Sequence, residues 1–294
     1  MANYCYLCAR GMAHVNVDVV TSGGIPWGVK RELANVVRDC YRRFGSRIPY
    51  KVEVLIVDRE TSVKNLLKEE KFKRGLADST DDWLVCTHDA WRGYPRIIVC
   101  YERLVALTRL ARIGVVRHET AHSALHCSLE FNIFRVPDDC RHTAMIKGID
   151  MAVLEQVLYN VSAAVKDCEA TKLLVSSGFI DCQFAFGLET LNISEQDRLN
   201  WKSAMGNRKD RFIYESALLR PTLFAHPLLS LPRSNRIPLE MQVYLGRRIE
   251  EMLEHLGDPE RNKLLQVANV IAEGLKEDTH RNIDFALAQS MNLA

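Results

Sequence analysis

The stretch GVVRHETAHSALH, residues Gly114–His126, holds three histidines at intervals of four residues and one glutamate. Residues four apart in an α-helix lie one turn apart on the same face. If the stretch is helical, His118 and His122 therefore reach towards the same point, and Glu119 lies beside them. Two interpretations follow: a metal site with a carboxylate next to it, or a histidine-rich helix face without chemistry.

The residues around the two histidines favour the metal site. Histidine, glutamate, two residues and histidine is the pattern in which two imidazoles hold zinc and the glutamate acts as general base. The side chains that flank His118 and His122 are uncharged except for Arg117. A helix that presents ligands from a packed core needs such neighbours, because a buried charge without a partner is costly.

The segment VVRHETAHSA resembles the zinc-binding helix of the zincin metallopeptidases, whose longer consensus also has uncharged residues at these places. The elements before it are similar to that family too: a sheet ends in an edge strand, RIIVCY, and a helix then leads into the motif. The resemblance covers about residues 27–178. It implies an α+β fold in which a small mixed sheet packs on an active-site helix and on a second ligand-bearing helix. The cofactor that it implies is Zn²⁺.

The pattern after the motif separates the zincin subfamilies. A metzincin would have a glycine at position 125 and a third histidine at 128, whereas this chain has Leu125 and Ser128. The resemblance is therefore to the gluzincin or aspzincin type, in which the third ligand is a carboxylate on a later helix. His126 lies roughly 12 Å along the helix axis from His118, at about 1.5 Å per residue. We expect His126 to support the site or the fold and not to bind the same metal.

The segment AAVKDCEATKLL, residues 163–174, is the best place for that carboxylate. Asp167 has small neighbours at helical spacing, which let its helix approach another closely. Glu169 has lysines around it, which is typical of a solvated, ion-paired position. We therefore predict Asp167 as the third ligand, with Glu169 as the alternative. The family's E-x-x-x-D helix is not matched, and its N-x-x-E-D variant would place Lys166 where a glutamate stands; His142 and Glu155 are lesser candidates.

The resemblance implies a zinc-dependent metallopeptidase with His118, His122 and Asp167 as ligands and Glu119 as general base, acting on a peptide or protein. Tyr159, Arg141 and His142 are candidates for stabilising the oxyanion. A peptide substrate is expected to add to the strand Arg96–Tyr101, where Pro95 suggests a sheet edge. The alternative is a zincin-like binding or regulatory protein whose metal is structural. Glu119 favours the enzyme, because a structural site needs no base.

The rest of the chain predicts helices around a small sheet, in an α+β arrangement. Four prolines mark residues 220–240 as irregular chain. We divide the chain into a zincin-like domain, residues 1–187, and a mostly helical extension, residues 188–294. The predicted elements are helix Trp27–Phe44, strand Lys51–Val57, helix Thr61–Phe72, strands Trp83–Thr87 and Arg96–Tyr101, helix Glu102–His126 with a possible break at Gly114, loop 131–142, and helices 144–175, 239–255 and 260–288.

The composition of the 294 residues is ordinary for a globular protein, with 47% hydrophobic and 26% charged residues. A net charge of +2 gives no electrostatic argument for a nucleic-acid partner. No run of eighteen apolar residues predicts a membrane span, and no secretory signal is visible, so we expect a cytoplasmic protein. The nine cysteines are odd in number and irregularly spaced, unlike a disulfide framework. Cys5 and Cys8 are more simply a terminal pair than half of a zinc site.

Overall fold

The structure is a computed structural model that describes residues 15–45, 48–73, 85–232 and 239–294. The chain forms two compact units. The first takes the described residues of Met1–Leu129 together with Ser176–Phe186, and the second takes Glu130–Val175 and Gly187–Ala294. The sequence-based boundary after residue 187 stays a prediction. The pair Cys5 and Cys8 lies outside the described residues.

The first unit is built on a four-stranded mixed sheet, which confirms the predicted α+β class. Its strands are β1 (Asn16–Ser22), β2 (Lys51–Val57), β3 (Cys86–Asp89) and β4 (Arg96–Cys100). The spatial order is β1-β2-β4-β3, with β1, β2 and β4 parallel and β3 antiparallel to β4. The β-branched residues of β2 and β4 fill the core around them.

Two predictions about the sheet need correction. The strand predicted at Arg96–Tyr101 is internal, because β4 lies between β2 and β3, and all five of its residues are buried. Pro95 comes just before the strand, where no ladder hydrogen bond needs its missing N–H, so it marks a strand start and not an edge. Among the described strands, β1 and β3 lie at the two edges. Strand β3 overlaps the predicted strand Trp83–Thr87, of which Trp83 is outside the described residues.

Strand β1 was missed altogether. Its sequence, NVDVVTS, alternates apolar and polar residues at the start, which is the signal that could have identified it. Only Val17 is buried along this strand, which pairs with β2 on one side only among the described strands. An edge strand exposed in this way carries a weak hydrophobic pattern.

Helices α1 (Trp27–Arg43), α2 (Glu60–Phe72), α3 (Tyr101–Ala106) and α4 (Arg109–Leu125) complete most of the first unit. Helix α4 contacts α1, β3 and β4, so it lies in the interior of this unit. The predicted break at Gly114 is wrong. The helices separate at Leu107–Thr108, where the Thr108 hydroxyl caps α4 by accepting a hydrogen bond from the Ala111 N–H at 3.3 Å.

Gly114 has a different role inside α4. A Cβ atom at this position would lie 2.1 Å from the carbonyl oxygen of Cys182 and 2.8 Å from Cβ of Phe186. Cys182 and Phe186 belong to α7 (Ile180–Thr190), so the missing side chain lets two helix backbones approach closely. Gln183 reinforces the contact, because its side-chain amide donates to the Gly114 carbonyl at 2.9 Å.

The second unit is helical throughout its described elements. They are α5 (Asp138–Ile146), α6 (Met151–Ser176, with Ser176 in the first unit), the end of α7, α8 (Glu195–Ala204), α9 (Arg208–Leu229), α10 (Leu239–Leu253), α11 (Asp258–Gly274) and α12 (Thr279–Ser290). A short 3-10 helix at Leu129–Asn132 precedes them. Helix α9 contacts α8, α10 and α11, which makes it central to this unit.

Several predictions about helices in this unit need correction. The loop predicted at 131–142 ends earlier, because α5 begins at Asp138. The helix predicted at 144–175 is divided into α5 and α6 by a turn at Gly148, whose φ of +67° favours glycine. The predicted helix 260–288 is two helices. The irregular segment predicted from residue 220 is helical to Leu229, with Pro221 and Pro227 inside α9. Burial of the apolar side chains of α9 outweighs the backbone hydrogen bonds that these prolines remove.

Among the residues that the structure describes, no helix combines the length and the apolar character that crossing a bilayer requires.

The contact at Gly114 gives a stability prediction. Replacing Gly114 with alanine forces α4 and α7 apart, and we expect the free energy of unfolding to fall by about 1–3 kcal/mol. The matched control is Gly246→Ala in α10, where an added Cβ meets nothing within 4 Å. This control should raise the free energy of unfolding by roughly 0.5–1 kcal/mol. Urea denaturation followed by circular dichroism measures both, and equal effects would show that the two helices do not touch at Gly114.

Candidate metal centre

The histidine motif lies on the buried face of α4. His118, Glu119 and His122 are all buried, with exposed fractions of 2%, 8% and 3%. The predicted helix and its shared face are therefore confirmed. The flanking apolar residues Val116, Ala121 and Ala124 are buried too, which is why α4 can sit in the interior and still present polar side chains.

Arg117, the charged residue next to the motif, has its charge compensated on the other side of the helix. Its Nη2 lies 3.1 Å from Oδ2 of Asp39 on α1. Its guanidinium carbon lies 4.0 Å from the ring centroid of Phe179, in a cation–π arrangement. Arg117 thus stabilises the position of α4 against α1 without turning towards the histidines.

The imidazoles of His118 and His122 are arranged as two ligands of one metal would be. Their Nε2 atoms lie 3.1 Å apart and their ring planes cross at 83°. Two nitrogens at about 2.0–2.1 Å from a tetrahedral zinc stand about 3.3 Å apart. The distance and the crossing angle both fit zinc, and so does the chemistry of two buried imidazole donors.

Glu119 is held by a residue that the sequence did not single out. Nδ1 of His88, on strand β3, lies 2.9 Å from Oε2 of Glu119. A carboxylate only accepts, so the imidazole donates this hydrogen bond. Burial alone would raise the pKa of Glu119, but the His88 hydrogen bond and the charges of His122, His88 and His118 together bring it below its ordinary value. Glu119 is therefore an ionised carboxylate beside the two imidazoles.

Strand β3 is fixed next to α4 by a buried ion pair one residue from His88. Asp89 on β3 is the register partner of Arg96 on β4, and Oδ2 of Asp89 accepts from Nε of Arg96 at 3.1 Å and from Nη2 at 2.6 Å. The Arg96 side chain is fully buried and also contacts Glu70 of α2. A short edge strand would otherwise fray, so this pair holds the His88 ring in place.

His126 lies at the end of α4, against the other nitrogen of His122. Its backbone leaves the helix with φ −121° and ψ 45°. Its Nδ1 is 3.1 Å from Nδ1 of His122, on the side of the ring opposite to Nε2. His126 therefore contacts the predicted ligand His122 and does so through a different atom from His118.

A second group of donors is also close together, and its ring geometry argues against a shared metal. Ring nitrogens of His88, His122 and His126 lie within 4.8 Å of one another. Imidazole binds a metal in the plane of its ring. The rings of His88 and His122 are stacked at 4.5 Å with only 4° between their planes, so their lone pairs do not converge. The three donors of this group therefore do not share one metal, whereas the Nε2 atoms of His118 and His122 face each other from crossed rings.

The predicted third ligand, Asp167, is buried in α6 of the second unit. Within that unit its Oδ2 accepts a hydrogen bond from Nε of Arg220 at 2.7 Å. The alternative, Glu169, accepts hydrogen bonds from Thr279 at 2.8 Å and Asn282 at 2.6 Å, and so ties α6 to the start of α12. The expected solvated position of Glu169 is corrected by these contacts. The choice of Asp167 as a ligand stays a prediction.

The remaining candidates lie on the surface of the second unit. Arg141, His142 and Glu155 are exposed, and Tyr159 is exposed to 49%. Their predicted roles as oxyanion stabilisers or ligands stay predictions. His88 was found only from the tertiary contacts. His126 was expected from the sequence to support the site or the fold, and it contacts His122.

No family model, no curated protein and no solved structure matches this chain.

The contact between His88 and Glu119 can be measured in metal-free protein. Each side chain is about nine-tenths buried, and hydrogen bonds to charged groups contribute about 1.5–3 kcal/mol. A double-mutant cycle of His88→Ala, Glu119→Ala and the combined variant, followed by urea denaturation at pH 7, should give a coupling free energy in that range. A coupling below about 0.5 kcal/mol would mean that the bond does not form.

The same coupling should depend on pH in one direction. Because the pKa of Glu119 is lower in the folded protein than in the unfolded chain, its stabilisation is present above the unfolded pKa. It is lost as the pH falls through the folded pKa, when the carboxylate takes up a proton. Coupling that is undiminished once the pH has fallen below the folded pKa of Glu119 would contradict the assignment of Glu119 as the ionised acceptor.

Proposed function

We propose that this protein is a zinc-dependent metallopeptidase in which His118 and His122 bind the metal and Glu119 is the general base. The observation that carries the proposal is the crossed pair of Nε2 atoms, 3.1 Å apart, with an ionised carboxylate on the adjacent residue of the same buried helix. A histidine-rich helix face without chemistry has no need of a buried carboxylate at this point, because desolvating the charge is costly.

In the proposed reaction the two carboxylate oxygens of Glu119 have different roles. Its Oε2 is used by the His88 hydrogen bond, and Oε1 is the oxygen that takes a proton from the attacking water. The same carboxylic acid then returns the proton to the leaving amine. His88 keeps the carboxylate ionised and restricts its rotation, and it acts through Glu119 as a positioning residue. Zinc, when bound, supplies Lewis-acid chemistry, which makes a water acidic near pH 7 and polarises a carbonyl.

Strand β3 is the segment on which we propose that a peptide substrate lies. The earlier assignment of this role to Arg96–Tyr101 fails, because β4 is flanked on both sides. β3 is at the edge of the sheet among the described strands, contacts α4, and carries the His88 that touches Glu119. Backbone pairing along β3 recognises an extended peptide without regard to most of its side chains.

Two substitutions separate metal binding from catalysis. His122→Ala removes a ligand, so we expect bound zinc to fall from near one per chain to near zero. Glu119→Gln keeps both imidazoles and a side chain of the same size, so zinc should be retained. Cleavage of an unfolded protein such as reduced casein should be lost in both variants, because each lacks a different part of the reaction.

The measurements are elemental analysis for zinc and gel or mass-spectrometric detection of new peptide ends. Arg281→Gln, which alters an exposed charged residue of α12, is the control for purification and folding. Retained cleavage in Glu119→Gln would end the peptidase proposal. Zinc binding without cleavage in the wild type would favour the alternative of a binding or regulatory protein with a structural metal.

The third ligand is proposed from the sequence as Asp167, and the two carboxylates of α6 make a matched pair for its test. Asp167→Asn should weaken zinc binding by about 10-fold or more, because an amide oxygen is a poorer ligand for zinc than a carboxylate. Glu169→Gln should change zinc affinity little, since Glu169 supports α12 through Thr279 and Asn282. Competition with a chromophoric chelator measures both, and the reverse order of effects would assign Glu169 instead.

A further inference from the structure

His122 has a neighbouring imidazole nitrogen at each of its two ring nitrogens. Nε2 faces Nε2 of His118 at 3.1 Å, and Nδ1 faces Nδ1 of His126 at the same distance. Each ring nitrogen of His122 therefore lies within hydrogen-bond distance of a ring nitrogen of another histidine. The two sides are not equivalent chemically, because a neutral imidazole has one N–H and one lone pair.

The ring nitrogen that binds the metal determines which nitrogen of His122 carries the proton. Zinc takes the lone pair of a neutral imidazole nitrogen, so a His122 that binds through Nε2 carries its proton on Nδ1. That proton points at Nδ1 of His126, which can accept it only if His126 carries its own proton on Nε2. Metal-bound histidines usually donate their second N–H to an acceptor, and this contact fixes the tautomer and the ring orientation.

We propose that His126 is the positioning residue of the metal site: its Nδ1 accepts a hydrogen bond from Nδ1–H of His122 and keeps the Nε2 lone pair of His122 turned towards His118. The proposal rests on the proposed zinc site at His118 and His122. It explains the third histidine of the motif, which lies too far along the helix to bind the same metal, as the partner of the second.

The backbone holds His126 in this position. The N–H of His126 donates to the carbonyl of His122 at 2.7 Å, so the two residues are joined through both main chain and side chain. The His126 residue is 1% exposed, which keeps bulk water from replacing the imidazole as acceptor. The ring planes of the two residues are 42° apart, so neither ring stacks on the other and both nitrogens remain available in plane.

His88 cannot take this role, although it lies as close to His122. It presents the face of its ring to the face of His122, and its Nδ1 is bound to Glu119. Hydrogen bonds between imidazoles lie in the ring planes, so the stacked contact selects no tautomer. The two additional histidines therefore have separate partners, His88 with the base and His126 with a ligand.

Zinc affinity tests the role of His126 without any substrate. We expect His126→Ala to weaken zinc binding about 10- to 100-fold, measured by chelator competition. His126→Asn should restore most of this loss, because its Oδ1 stands close to where Nδ1 stood and can accept the same proton. Tyr41→Phe is the control, because it removes the hydrogen bond of 2.6 Å between Tyr41 of α1 and Ser123 of α4 without altering a histidine. It should leave the affinity unchanged within about threefold.

A second measurement reports the tautomer directly in metal-free protein. Nitrogen-15 NMR of the histidine side chains should find the proton of His122 on Nδ1 in the wild type and in His126→Asn, and partly on Nε2 in His126→Ala. Equal zinc affinity in all three proteins, or a wild-type proton on Nε2, would overturn the inference. A wild type that binds no zinc would overturn the proposed function instead. The NMR spectrum would then still show whether Nδ1 of His122 carries the proton that His126 accepts. The measurements on the wild type and the asparagine variant stand even if the alanine variant does not fold.

Discussion

The first unit depends on the burial of one helix that carries polar side chains. Helix α4 lies against α1, β3 and β4, and α7 approaches it closely at Gly114. Such a helix is stable only if each buried polar group has a partner, since an uncompensated group costs about 1–3 kcal/mol. The polar contacts around α4 follow from that requirement.

These contacts divide into three systems with different chemistry. Arg117 is compensated by Asp39 and Phe179 on the α1 side. Glu119 is compensated by His88, and His122 lies between two further imidazoles. Only the last two systems face a point where nitrogen lone pairs converge. The arrangement thus separates the charges that hold the helix in place from those that we propose take part in a reaction.

The sheet contributes a residue to the site, His88, which lies on the short strand β3. β3 has four residues and a single partner among the described strands, which alone would make the position of His88 uncertain. The buried pair of Asp89 and Arg96 fixes this strand one residue beyond His88. Replacing a whole buried ion pair with apolar side chains is often neutral, because the desolvation of the charges offsets their attraction. The pair therefore matters more for the position of the strand than for the stability of the fold.

The sequence by itself determined the parts of the site that are close along the chain. His118, Glu119 and His122 share a face because helical periodicity is a local property, and the α+β class and strand β2 follow from equally local patterns. The tertiary structure decided what faces that helix. The contact between His88 and Glu119 joins residues on different elements, and the internal position of β4 depends on which strands pair with it. No spacing along the chain encodes such neighbours, because they result from how buried faces pack. For the same reason Pro221 and Pro227 stand inside a helix: packing, and not the local preference of proline, set the backbone there.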